Sequence, residues 1–250
     1  MLAFAAMVVL TLHLAACAFI DIGPRTDVDT FQLALIETRD GARLSNVIVE
    51  TIVYRTGARL TVASSSQGSG VVVHIDDAYA YILTNYHVTD RGNRDHFDYT
   101  VRAADADDKI DAEMVHEDEA YDLAVLRVDR ELLHREVIDI FTRLDEPLRR
   151  GEFVLAIGSP RMVDGIVTYG RYLRMVGIEN VDFQVILHDA LIYRGSSGGA
   201  LVDIDGHLVG INTWGGVETD NNGLAVPLIE VHAFLHDAGI FDSITEQDEE

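Results

Sequence analysis

The stretch YRGSSGGALVDIDGHLVGINTWGG, Tyr193–Gly216, sets two adjacent serines among three glycines and then runs into two valine-bearing segments split by Asp205-Gly206. Glycine-serine clusters between apolar runs commonly form turns, because glycine supplies backbone angles that other residues avoid and serine satisfies turn groups. A serine hydroxyl is a weak nucleophile at neutral pH. It gains power only beside a base that is itself oriented by a third group. What Ser196 or Ser197 can do therefore depends on what the rest of the chain brings to them.

From about residue 46 the chain is a series of short β-branched runs separated by turn residues: VIVETIVY, RLTVA, GVVVHI, AYILTN, YTVRAA and LAVLRV. That spacing predicts an all-β sandwich or barrel. DRELLHREVIDIFTRLDEPLRRG breaks the pattern and reads as a connection with one or two helical turns, after which FVLAIG, GIVTYGRYL, FQVILHDA, ALVDI, HLVGINTW and GLAVP resume it. Leu228, Val231, Phe234 and Leu235 then recur at helical spacing, and Gly239 ends the segment. The chain is thus two strand-rich halves with a closing helix.

A base and an acid are sought at strand ends. His87 closes AYILTNYHVTD, where an apolar strand meets a polar turn, and Asp122 in EDEAYDLAVLRV immediately precedes another apolar strand. Either choice alone is weak in a chain with ten histidines and 42 acidic residues. A strand-end histidine is more often a surface residue than a catalyst.

The order His87, Asp122, Ser197 resembles the chymotrypsin-fold serine proteases, and most closely their HtrA (DegP-like) branch. GSGVVV, YILTNYHV, YDLAVLRV, RRGEFVLAIGSP, GSSGGALVDIDGHLVGIN and GLAVP match that branch's blocks in its order, over roughly residues 60 to 230. The resemblance implies two six-stranded antiparallel β-barrels with a short C-terminal helix. It divides the chain into a first barrel over 46–130, a connection over 131–150, a second barrel over 151–227 and a helix with an acidic tail over 228–250. Ser197, the second serine, takes the nucleophile position. His87 is the implied base, Asp122 its orienting acid, and the N–H groups of Gly195 and Ser197 the oxyanion hole. Gly195–Gly199 also fits Gly-x-Ser-x-Gly, the nucleophile elbow of the α/β-hydrolases, whose order is Ser, acid, His and whose serine opens a helix. Asp220 followed by His232 or His236 could nominally complete that order, but ALVDIDGHLVGI after the serine is strand, turn, strand.

The chain departs from the branch at Arg194 and Ala200, where proline is usual, and at Ser196, where asparagine is usual. Ser196 cannot form the ion pair by which trypsins activate. The chain ends too soon for the peptide-binding PDZ domain that HtrA proteins normally add. In the implied specificity pocket Leu191 forms the floor, and Thr213, Trp214, Gly215 and Gly223 form the walls. Asp189 lies two positions off the floor. An apolar floor disfavours a buried charge, so cleavage is expected after small or medium apolar residues.

The opening MLAFAAMVVLTLHLAACAFI is apolar over residues 1–20 except for Thr11 and His13, and reads as an export or anchor segment ahead of a tether over 21–45. Leu14-Ala15-Ala16-Cys17 resembles a lipoprotein lipobox, which would make Cys17 a lipidation site; a plain membrane anchor is the alternative. Cys17 is the only cysteine, so no disulfide forms within the chain. A net charge of −23, with Lys109 the only lysine, argues against nucleic acid as a partner and restricts membrane contact to the N-terminal segment. Such a surface also suits high salt. No metal-ligand spacing or phosphate-binding loop is evident, and no cofactor is expected. The sequence therefore predicts a membrane-tethered serine endopeptidase of the cell envelope with polypeptide substrates, free to self-associate. The alternative is a protease-like fold that binds peptides without turning them over.

Overall fold

The computed structural model describes residues 26–56, 60–103, 106–160, 165–179, 181–215 and 222–241. Contacts divide the chain into residues 1–36 and 37–250, and both barrels belong to the second unit. The apolar opening and Cys17 lie outside the described residues, and among those described no helix is long and apolar enough to cross a membrane.

Helix α1 spans Thr26–Arg43. The helix lies within the segment that the sequence reading assigned to a tether over 21–45. Six strands follow: β1 Asn46–Arg55, β2 Thr61–Ile75, β3 Tyr79–Thr84, β4 Phe97–Ala103, β5 Ile110–Asp118 and β6 Leu123–Asp129, with a single helical turn, α2, at Tyr86–Thr89. They close into a barrel in the order β1-β2-β3-β6-β5-β4. β2 fuses two runs that the sequence shows as separate. Its polar stretch Ser64–Gly68 stays in strand because it pairs with Val49–Val53 of apolar β1. The connection after Asp129 holds turns and irregular chain, without the helical turns that the sequence suggested.

The second barrel comprises β7 Phe153–Gly158, β8 Ile166–Gly177, β9 Gln184–His188, β10 Ala200–Val202, β11 Leu208–Gly215 and β12 Gly223–Pro227, closed in the order β10-β11-β12-β9-β8-β7. Helix α3, Leu228–Asp237, buries Val231, Phe234 and Leu235. All pairings are antiparallel, and closure leaves neither sheet with an open edge. Each barrel has its own core. Val47, Val49, Val72, Ile82, Val101 and Leu126 fill the first, and Val154, Tyr172, Ile186, Leu201 and Val209 the second. The fold is thus the two-barrel chymotrypsin fold that the resemblance implied.

Candidate active site

β3 and β6 pair with Thr84 opposite Ala124. The residues just past one strand and just before the other therefore meet at the same end of the first barrel. There α2 buries Val88 and Thr89 and leaves His87 outward. Asp122 has φ 53°, the only positive φ at a non-glycine among the described residues. Aspartate tolerates that region better than most residues, and here its backbone is also held by bonds. The Asp122 N–H donates to Glu119 O at 3.2 Å, and Asn85 Nδ2 donates to Asp122 O at 2.8 Å.

His87 Nδ1 stands 2.9 Å and 3.0 Å from the two carboxylate oxygens of Asp122, and the His87 backbone N–H donates to Oδ1 at 3.1 Å. The carboxylate is 8 % exposed and the imidazole 42 %. The acid is thus shielded from water while the ring's other side faces the open cleft. A bond from Nδ1–H to the acid leaves Nε2 as the lone-pair nitrogen. The Thr213 hydroxyl, arriving on β11 from the second barrel, donates to Asp122 Oδ2.

Ser197 lies in the turn ahead of β10. Gly198 N–H donates to Asn212 O, Asn212 N–H donates to Gly199 O, and Asn212 Nδ2 donates to Ala200 O, so the turn is laced to β11. The Ser197 hydroxyl donates to Thr213 O at 2.8 Å, and among the described residues it makes no bond to His87. The two serines differ. Ser196 is 6 % exposed and its Oγ accepts from Tyr193 N–H, whereas Ser197 is partly exposed. Gly195 has φ 97°, and among the described residues neither its N–H nor that of Ser197 donates to a backbone acceptor.

The other residues predicted for the site are spread around this turn. Leu191 is 41 % exposed and holds Thr168 Oγ1 through its carbonyl. Ile192, next to it in sequence and not singled out there, packs against the second core. Gly223 lies against it: a Cβ there would come 2.5 Å from Ile192 Cγ1 and 2.4 Å from His188 Cε1. The Asp189 carboxylate accepts from Arg171 N–H. β11 runs through Trp214 and Gly215, whose side chains are outside those described. His188 is fully buried, and burial pushes the imidazole down to about 4. Asp203, Asp205 and His207 cluster on the β10–β11 hairpin, but the Arg143 guanidinium lies 3.6 Å from Asp203 and already supplies the positive charge.

The trypsin-like peptidase domain matches residues 68–211. The chain belongs to that family. Its relatives include serine protease HTRA1 of Xenopus tropicalis, 34 % identical over 68 % of this chain and 36 % of that protein. Periplasmic serine endoprotease DegP of Salmonella typhimurium is 35 % identical over 58 % of this chain and 29 % of that protein. The chain spans about a third of the length of these curated relatives. Among solved structures it is similar to the serine endoprotease of Yersinia pestis, with TM-score 0.62, 30 % identity and 82 % of this chain against 66 % of that one. It is also similar to an HtrA-type protease solved with a tripeptide, with TM-score 0.67, 28 % identity and coverage of 82 % and 62 %. In this trypsin-like peptidase the His87 and Asp122 side chains meet across β3 and β6 of the first barrel, and Ser197 and Thr213 come from the second.

Proposed function

We propose that this trypsin-like peptidase is a serine endopeptidase of the cell envelope that works through His87, Asp122 and Ser197. The observation that carries the reading is the 2.9 Å contact of His87 Nδ1 with a shielded Asp122 carboxylate. Thr213 ties that acid to the carbonyl on which the Ser197 hydroxyl rests. For reaction the hydroxyl turns from Thr213 to His87 Nε2, which takes its proton as Oγ attacks the scissile carbonyl. The N–H groups of Gly195 and Ser197 hold the resulting oxyanion, the imidazolium protonates the leaving amine, and water then hydrolyses the acyl-enzyme. Asp122 keeps Nδ1 protonated and offsets the charge that appears on the ring.

Cleavage falls after small or medium apolar side chains. In this reading, as the family resemblance implies, the pocket is that of Leu191, Thr213, Trp214, Gly215 and Gly223; it is supported by Ile192 lying against Gly223 and by the Asp189 carboxylate accepting from Arg171 N–H. The N-terminal segment tethers the enzyme to the membrane, through lipid on Cys17 in the lipobox reading; loss of lipid labelling in Cys17→Ser tests that part. A peptide-binding protein without turnover is favoured by one observation, the Ser197 hydroxyl resting on Thr213 instead of His87. Digestion of casein by the wild-type protein and by Ser197→Ala separates the two. The enzyme reading expects cleavage that Ser197→Ala abolishes, and intact casein with both proteins would overturn it.

A further inference from the structure

Ser69 on β2 is fully buried and belongs to the first barrel, yet it contacts the nucleophile turn through its backbone and its side chain. Its N–H donates to Ser197 O at 2.8 Å, and its Oγ donates to Gly195 O at 2.6 Å. The rotor of this hydroxyl is fixed. Ser159 N–H, just after β7, donates into Oγ at 2.8 Å, so a lone pair is used there and the single proton is directed to Gly195. Thr84 Oγ1 donates to Ser69 O at 2.7 Å and fixes the residue's own backbone. The strand reaches the turn only because Gly68 precedes Ser69: a Cβ there would stand 2.8 Å from Ser197 O and 2.6 Å from Val88 Cγ2.

Gly195 is the residue whose N–H would serve the oxyanion hole, and glycine is the residue least able to hold its own dihedral angles. A backbone donor helps catalysis only if it is already aimed when charge develops. We propose that Ser69 is a positioning residue that clamps the Gly195 carbonyl and so holds the oxyanion-hole donor in place from the opposite barrel. The inference rests on the reading of Ser197 as nucleophile.

The test compares Ser69→Ala with Ser159→Ala. The second also deletes a buried hydroxyl, the acceptor of Asn46 Nδ2, but leaves both bonds of the Ser69 hydroxyl intact. Rates on labelled casein are expressed per active site titrated with a fluorophosphonate, so partly unfolded protein lowers the number of sites and not the rate of each. Removing an oxyanion donor outright lowers kcat by about 10² to 10³, and loosening one is expected to lower it about 10-fold or more in Ser69→Ala, with KM within twofold. Ser159→Ala should keep kcat per site within twofold. A Ser69→Ala kcat within twofold of wild type would overturn the proposal, as would equal losses in the two variants. Loss of the cooperative thermal transition in both Ser69→Ala and Ser69→Cys would also contradict it, since the residue would then be generally structural. Failure of the wild type to turn over casein, or labelling that persists in Ser197→Ala, would instead overturn the reading of the site.

Discussion

The Ser197 hydroxyl donates to the Thr213 carbonyl at 2.8 Å, and the hydroxyl of the same threonine donates to Asp122. One residue of the second barrel thus touches both the acid on the first barrel and the serine. Thr213→Val keeps the shape and the carbonyl but leaves the shielded carboxylate one donor short. A hydrogen bond to a charged group contributes about 1.5 to 3 kcal/mol. We expect kcat to fall by about 10- to 100-fold, as that energy converts at about 1.4 kcal/mol per decade. Casein turnover with unchanged kcat would show that Thr213 does not support the acid.

Asp122→Asn should be more damaging than Thr213→Val. An amide in place of the carboxylate removes the charge and puts an NH2 donor beside the imidazole, which favours the wrong tautomer, and a change of this kind in a serine triad costs about 10⁴ in kcat. The positive φ at Asp122 is one that asparagine also tolerates. Thermal stability should therefore stay close to that of wild type while activity is lost. Retained turnover would remove Asp122 from the mechanism.

His188 gives a pH dependence to stability. Its folded-state value of about 4 lies below the ordinary histidine value because burial disfavours the charged ring. Between the two values the unfolded chain binds the proton and the folded chain does not. The contribution is therefore fully present above about 6.5 and is lost as pH falls towards 4, amounting to about 3 kcal/mol. The His188→Gln protein should show a shallower fall of Tm over this window, measured by calorimetry. Identical slopes in the two proteins would place the acid sensitivity elsewhere.

A peptide-library digest read by mass spectrometry should show Val, Ala, Leu or Met before the cut. A dominant preference for Arg or Lys would mean that a carboxylate reaches the pocket, contrary to the bond between Asp189 and Arg171 N–H.

Most of the architecture was legible because the strands are short β-branched runs between turn residues, and because His87, Asp122 and Ser197 each flank one of them. α1 escaped because TDVDTFQLALIETRDGAR mixes polar and apolar residues and carries Gly41 near its end. The continuity of β2 through ASSSQGS was hidden for a different reason. Its strand character comes from pairing with β1, a tertiary effect absent from local propensity. The same holds at the site. Nothing around Ser69 marks it apart from the flanking glycines, and its role emerges only where the fold brings β2 against Gly195 and Ser197. Ile192 was not singled out because the choice of Leu191 rested on spacing from the serine, while the packing of Ile192 on the second core depends on the path of the loop.

The central claim is that Ser197, and not its neighbour Ser196, is the nucleophile. Reaction of the wild-type protein with a fluorophosphonate, followed by peptide mapping, tests it most directly. One adduct is expected, on Ser197, retained in Ser196→Ala and absent from Ser197→Ala. An adduct on Ser196, or none on a protein that still digests casein, would contradict it.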